Sequence, residues 1–434
     1  MPISTGLDRR MDIRVAASIA VAWAVVTLAI YWNNWAPDLG AVYFAGYFYD
    51  LGQYSEVYAS PELFFGEDTP QSWENAVAAL GHSGDIVFPF VYPPIWAVIA
   101  SPFAGMMTPA AFFKLVYLVH VAMITVSIFL AYRIVRPGIG LGIWVAVSAG
   151  LLFASIISVS ALFHNQPQIT VTFFIILAME RYRSGAMVQA GLALAMAATI
   201  KISPALLILL FVADRQWRAV AAFSFLGAVI LGLSFVLAGP ELHWIFLEKI
   251  RLISSQIALM KVNYALEAYV YEIWSLLAGL RLDPDPLIGQ FSVPEPAWVA
   301  VIVRGALVGG LITAFLVTRQ LGDDLRLPVR LTLLLLVTTL TAPLGWTHHY
   351  LGALLLAPVF YRLYSRTTAS MLMIGFALIT NVGVFGLLSD LSTRVHVQML
   401  VGVTSMLGMI LLILASPVLR ESTERLARKS AQTV

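Results

Sequence analysis

The chemistry open to this chain rests on carboxylates, histidines and one isolated lysine. It contains no cysteine, which removes thiol catalysis, thiolate metal sites and disulfides together. The carboxylates are concentrated. Between Asn33 and Tyr92 there are eight (Asp38, Asp50, Glu56, Glu62, Glu67, Asp68, Glu74 and Asp85) and no Lys or Arg. Asp38 stands out by position, because it follows Pro37 just beyond the first apolar run, where a carboxylate sits at a membrane–water boundary. There it suits a general base that takes a proton from a hydroxyl acceptor. A solvated loop acid is the ordinary alternative, and it fits Glu62, Glu67, Asp68 and Glu74 better, since they occupy the most polar part of the stretch. Asp50 and Glu56 are the reserve carboxylates.

Lys201 lies within an apolar stretch instead of at its edge. An ionisable group so placed costs a few kcal/mol unless it is paired, and a phosphate is the expected partner. Snorkelling to an interface is the competing reading, and it applies equally to Lys114 and Arg304. Two turns present further donors: His164-Asn165-Gln166-Pro167-Gln168 and, after Pro343, Trp346-Thr347-His348-His349-Tyr350. Adjacent helical residues point about 100° apart, so His348 and His349 are expected to donate to a phosphate or a sugar hydroxyl. A shared metal is not expected, and no cofactor is. His120 and His396 read as satisfied histidines between helices or at an interface. The aromatic clusters (Tyr43, Phe44, Tyr47, Phe48, Tyr49; Tyr92, Trp96) suit sugar faces and interfacial anchoring alike. No glycine-rich phosphate loop, Walker-type motif, haem motif or serine elbow is present, so nucleotide-driven chemistry lacks support.

These residues must be positioned by membrane helices. Charged residues make up 12% of the chain and the mean hydropathy is +0.85, whereas soluble domains carry about 25% charged residues. Repeated apolar runs define an all-α polytopic membrane protein of about 10–12 transmembrane helices. The basic start, Arg9, Arg10 and Arg14, reads with the following run as an uncleaved signal-anchor helix. Eighteen of the 26 basic residues fall in clusters at 9–14, 133–136, 181–183, 215–218, 319–330, 362–366 and 420–429. Positive-inside counting puts these clusters on the cytoplasmic side. Expected spans are 15–32, 109–132, 140–163, 167–181, 218–238, 297–318, 329–343, 349–361, 369–388 and 396–417. The 31-residue stretch between Arg183 and Arg215 must cross an even number of times. Its arms of about 13 residues reach only about 20 Å, against a hydrocarbon core of about 30 Å. It reads as a broken or re-entrant pair with Lys201 near the tip.

A single membrane domain, 1–434, follows. Its parts are a first outer loop (33–107) with short interfacial helices and Asp38, a second outer loop (239–296) and a basic cytoplasmic tail (418–434). The apolar piece 94–107 is too short to span and lies against the outer face. The expected location is the plasma (inner) membrane, with both termini cytoplasmic and the active site on the outer, periplasmic face.

In the order of its motifs the chain resembles the polytopic C-type glycosyltransferases that use polyprenyl-phosphate sugars. More narrowly it resembles glycosyltransferase family 87, which includes the mycobacterial phosphatidylinositol mannoside mannosyltransferases. Four stretches carry the likeness. They are Asp38 with Tyr43, Gly52 and Tyr58; Tyr92-Pro93-Pro94 with Pro102; Asn165-Gln166 followed by Ala190-Gly191 and Lys201-Ile202-Ser203-Pro204; and Pro343 with Trp346, His348, His349 and Tyr350. Asn165 replaces the family's usual glycine, and Ile202 stands where a proline is usual. The resemblance implies an inverting hexosyltransferase that moves a sugar, mannose in the family's usual case, from polyprenyl phosphate to a lipid-linked or glycan hydroxyl. Asp38 would be the base; Lys201, His348, His349, Gln166, His164 and Tyr92 would bind the donor's phosphate and sugar. Neither nucleotide nor obligatory metal is implied, and nucleic acid is no partner. The alternative is a secondary transporter or lipid flippase. It predicts charge pairs within several spans and a fold repeated in two halves, and the sequence shows few such charges and no repeat.

Overall fold

The computed structural model describes residues 6–60, 69–280, 291–390, 396–422 and 424. Glu62, Glu67, Asp68, the turn at 282–286 and most of the basic tail lie outside the described residues. The chain is all-α. Helix α1 (Gly6–Tyr31) leads to three short helices, α2 (Pro37–Asp50), α3 (Gln71–Ala79) and α4 (Ile95–Met106). Then come α5 (Pro109–Val135), α6 (Leu141–Ala154), α7 (Ile156–Phe163), α8 (Gln168–Arg183), α9 (Met187–Ile200), α10 (Ile208–Ala213) and α11 (Trp217–Ile253). The later chain adds α12 (Leu266–Leu277), α13 (Ala297–Thr318), α14 (Asp323–Leu340), α15 (Leu351–Leu356), α16 (Phe360–Leu363), α17 (Arg366–Ile379), α18 (Val382–Asp390) and α19 (Val397–Leu414). One antiparallel ribbon, β1 (Gln256–Leu259) with β2 (Phe291–Pro294), lies among the described residues, with Gln256 opposite Pro294. Five described helices are long and apolar enough to cross a bilayer: most of α1 (Arg9–Tyr31), α5, α11, α13 and α19. The protein is a multi-pass membrane protein.

Several expected spans are built from pieces, for local reasons. The stretch 140–163 breaks at Ser155, whose hydroxyl accepts from the Ile157 amide at 3.2 Å and restarts the helix as α7. The stretch 369–388 breaks at Thr380 and Asn381. The two breaks face each other. The Ile156 amide donates to the Thr380 carbonyl at 2.7 Å, and Ser155 bridges Asn381. Backbone groups freed by one break thus satisfy the other, as an apolar surrounding demands. In α11 the helix kinks at Gly239 (φ 76°, ψ 160°), a conformation that favours glycine, immediately before Pro240. The kink lies one residue past the expected end of that span.

The described residues of the segment 33–107 are folded against one another. Pro37 starts α2, and α2 packs closely on α4. A Cβ on Gly46 would stand 2.7 Å from the backbone of Ala100, so glycine sets the approach of the two helices. Tyr43 donates to the Met107 carbonyl at 2.7 Å, and Phe48 stacks on Trp73 at 5.9 Å. Tyr43, Phe44, Phe48 and Tyr92 are all buried. Their rings pack this segment together, a use that competes with both sugar stacking and membrane anchoring. With 12 residues, α4 is about 18 Å long, short of a crossing.

The arginines paired with Glu180, Asp214 and Asp324 gather at one end of the bundle. Arg133 pairs with Glu180 at 2.7 Å, Arg183 with Asp324 at 2.5 Å and Arg330 with Asp214 at 3.5 Å, and Arg362 also meets Asp324. Helix α8 starts at Gln168 and ends at Arg183, whereas α9 starts beside that end and finishes before Lys201. The arginine end and the end bearing Gln166 and Lys201 are therefore opposite ends of the same helices.

Candidate active site

Asp38 lies in the first turn of α2. It faces the turn between α7 and α8. His164 Nδ1 stands 3.5 Å from its Oδ2, too far for a strong hydrogen bond. The Gln166 side chain also hydrogen-bonds the carboxylate. Gln166 is oriented from behind, because the Tyr92 hydroxyl donates to its Oε1 at 3.4 Å and leaves the amide NH2 for Asp38. Tyr92 is itself held through its carbonyl, which accepts from the Tyr58 hydroxyl at 2.7 Å. Burial pushes the Asp38 carboxyl above the usual carboxylate range; His164, Gln166 and Lys201 pull it back without cancelling the rise. About a fifth of the side chain (21%) stays exposed, so the acid is enclosed by protein yet open on one side.

Lys201 ends α9 in extended conformation (φ −136°, ψ 136°), and Ser203-Pro204 turn the chain into α10. The expected broken pair is what forms here. Helix α4 docks on its tip, with Trp96 Nε1 donating to the Thr199 carbonyl at 2.7 Å. Lys201 Nζ is 2.7 Å from His349 Nε2. His349 Nδ1 meets the Leu344 carbonyl at 3.0 Å. A carbonyl only accepts, so Nδ1 carries the proton and Nε2 offers its lone pair to the ammonium. His349 is thereby a holder of Lys201, with no donor left over. Its neighbour differs. His348 is buried, packs ring to ring with His349 at 4.7 Å and lies within electrostatic reach of Lys201 and His164. His348 Nε2, Thr347 Oγ1 and His164 Nδ1 are buried without a hydrogen-bond partner among the described residues.

The turn that carries the histidines is clamped by the segment after α11. Asn263 is fully buried; its Oδ1 accepts from the Gly345 amide at 2.9 Å and its Nδ2 donates to the Ala258 carbonyl at 2.7 Å. The Tyr264 amide donates to the Gly345 carbonyl at 2.8 Å, and the Tyr350 hydroxyl to the Tyr264 carbonyl at 2.7 Å. A Cβ on Gly345 would lie 2.7 Å from the Ala265 nitrogen. Nothing in the sequence marks Asn263 apart from other loop asparagines.

Asp38, Tyr92, His164, Gln166, Lys201, His348 and His349 thus converge. The reserves do not join them. Asp50 accepts from Ser101 Oγ at 3.0 Å, at the far end of α2, about 18 Å along the helix from Asp38. Glu56 supplies its carbonyl to Trp73 Nε1 at 2.9 Å. Lys114 sits over the Trp32 ring at 5.6 Å, Arg304 pairs with Glu295 at 3.5 Å and His396 with Glu272 at 3.3 Å. Among the described residues no three His, Asp or Glu side chains are grouped as metal ligands. Beside the site runs an apolar groove of about 330 Å³, lined by Leu39, Val42, Trp96, Val116, His120 and Ile200 among others. It touches Tyr92, and its lining includes Ile200, the residue before Lys201 in the chain.

A family model described as glycosyltransferase family 87 matches residues 90–344, more than half of the chain. The chain belongs to this family. It is a glycosyltransferase, which sets the transporter reading aside. The matched stretch of the glycosyltransferase contains Tyr92, His164, Gln166 and Lys201; Asp38 precedes it, and His348 and His349 follow it directly. Neither the curated proteins nor the solved structures gave a match.

Proposed function

We propose that this glycosyltransferase moves a sugar, with mannose as the first candidate, from a polyprenyl-phosphate donor to a hydroxyl of a lipid-linked or glycan acceptor. The reaction would take place on the outer face of the plasma membrane. The observation that carries this reading is the placement of Lys201, held on the His349 imidazole, within electrostatic reach of Asp38 and next in the chain to Ile200 of the apolar groove. A donor with a charged phosphate and a long hydrocarbon tail meets both halves of that arrangement: the tail follows Trp96, Val116 and Ile200, and the phosphate meets Lys201.

In this mechanism Asp38 accepts the acceptor's hydroxyl proton as the oxygen forms its bond to the anomeric carbon. The bond from that carbon to the phosphate oxygen breaks on the opposite face, so the configuration inverts. Polyprenyl phosphate leaves with the electron pair, its charge met by Lys201 and by a donor on His348. Such preorganised donors act strongly where water is excluded. The unpartnered polar atoms of His348, Thr347 and His164 supply hydrogen-bonding capacity for the phosphate and sugar. Sidedness rests on the arginine clusters at the opposite end of the bundle.

The test is direct. Purified protein is incubated with polyprenyl-phosphate [14C]mannose and total membrane lipids, alongside Asp38→Asn. Label moves to a lipid-soluble or glycan product with wild type and not with the variant. No transfer by the wild type from any polyprenyl-phosphate sugar overturns the donor assignment, and full activity of the variant overturns the assignment of the base.

A further inference from the structure

His120 is a buried histidine in the middle of α5 that makes no hydrogen bond or ion pair with Asp38 or Lys201 and is given no part in the mechanism above. Both of its ring nitrogens are engaged. Nδ1 is 2.7 Å from Asn165 Oδ1, and Nε2 is 3.0 Å from Thr170 Oγ1. The directions of these bonds can be assigned. Asn165 Nδ2 donates to the Phe113 carbonyl at 3.0 Å, so its Oδ1 must be the acceptor facing His120. Nδ1 therefore carries the proton, and Nε2 accepts from the Thr170 hydroxyl. Asn165 is also one of three non-glycine residues with positive φ among the described residues, at 48°. Asparagine tolerates that region better than most residues, but not without cost. The strained residue sits between His164 and Gln166, the two side chains that meet Asp38. His120 and Thr170 both line the apolar groove.

We infer that His120 is a positioning residue: through Asn165 it holds the 164–166 turn so that His164 and Gln166 both face Asp38, and through Thr170 it ties that turn to the wall of the groove. Two independent features converge on this. A left-handed asparagine needs fixing, and the fixing comes from a ring with a defined tautomer shared with the groove. Glycine would relax the φ demand at 165 while removing the tie, so satisfying backbone conformation and holding the turn are separable properties. The inference rests on the proposed transferase reaction.

The experiment compares wild type with Asn165→Gly, His120→Leu and His120→Asn in the polyprenyl-phosphate [14C]mannose assay, with melting temperatures recorded in the same detergent. Asn places an amide where His120 Nδ1 stands and keeps the donor to Asn165. Asn165→Gly is expected to melt no lower than wild type, with kcat down about tenfold and donor KM within about twofold, since small misplacements of reacting groups act on the chemical step. His120→Leu falls further, and His120→Asn recovers most of the loss. If wild type transfers label and Asn165→Gly keeps its kcat, the inference is overturned and the proposed function stands. It is overturned likewise if His120→Asn is as impaired as His120→Leu. If wild type transfers no label, the proposed function fails first and the inference fails with it.

Discussion

Lys201 Nζ rests 2.7 Å from His349 Nε2, and the other nitrogen of that ring is bound to the Leu344 carbonyl. A half-buried lysine has thus been given a neutral acceptor in place of a carboxylate. A carboxylate would engage the lysine fully, whereas an imidazole orients Nζ and leaves it open to an anion.

Removing that acceptor should act on donor binding. His349→Leu is expected to raise donor KM by about ten- to a hundredfold, the range set by losing a hydrogen bond to a charged group. Glutamine can offer an oxygen near the position of Nε2, so His349→Gln should fall between the two. Equal KM values for wild type and His349→Leu would show that Lys201 needs no such support.

Asp38→Asn keeps the size of the side chain and one acceptor oxygen while removing the proposed base. Transfer should fall by about 10²–10⁴-fold, the usual contribution of general-base catalysis, with product polyprenyl phosphate still bound. Asp50→Asn and Glu56→Gln should remain within about twofold of wild type, because surface substitutions away from special features change little. Initial rates of label transfer decide all three.

The raised Asp38 carboxyl gives a pH signature. Protonated Asp38 cannot take a proton, so kcat/KM should rise with pH through a midpoint above the ordinary aspartate value of about 3.9. Stability runs the other way. The folded state binds this proton more tightly than the unfolded chain does, so the Asp38 contribution is full below the unfolded value and is lost as pH rises through the folded one. Relative to Asp38→Asn, wild type should lose melting temperature across that window. A difference between the two that stays flat with pH would refute the direction of the shift.

Gly46 sets the α2–α4 contact. Gly46→Val forces a side chain against the Ala100 backbone and should cost about 1–3 kcal/mol, as overpacking does. Thermal unfolding in detergent measures it, and an unchanged midpoint would mean that the two helices can part freely.

Trp96 joins α4 to the tip of α9 and lines the groove. Trp96→Ala should weaken long-chain polyprenyl-phosphate donors more than short-chain ones. A chain-length comparison of KM checks this, and equal losses would separate the groove from the donor's tail.

Much of this architecture could be read from residue order. Asp38 was marked by its place after an apolar run, and Lys201 by a charge amid apolar neighbours. The expectation of an even number of crossings between Arg183 and Arg215 calls for a break where Lys201 lies. Other features left no local trace. His349 as the partner of Lys201 depends on two turns far apart in sequence, and adjacent histidines look alike until one is seen bound at both nitrogens. Asn263, Tyr58 and His120 act by hydrogen bonds to distant backbone or side chains, which periodicity does not encode. The breaks at Ser155 and Thr380 are each half of a mutual arrangement, so neither half is intelligible alone.

The site draws on the first turn of α2, the α7–α8 turn, the end of α9 and the turn before α15, with Asn263 bracing the last. These pieces leave the ribosome in widely separated order, Asp38 early and His349 far later. A nascent chain halted anywhere before residue 349 carries Asp38 without the acceptor that steadies Lys201. If the proposed site is the active one, competence arrives only when the late helices have entered beside the early ones.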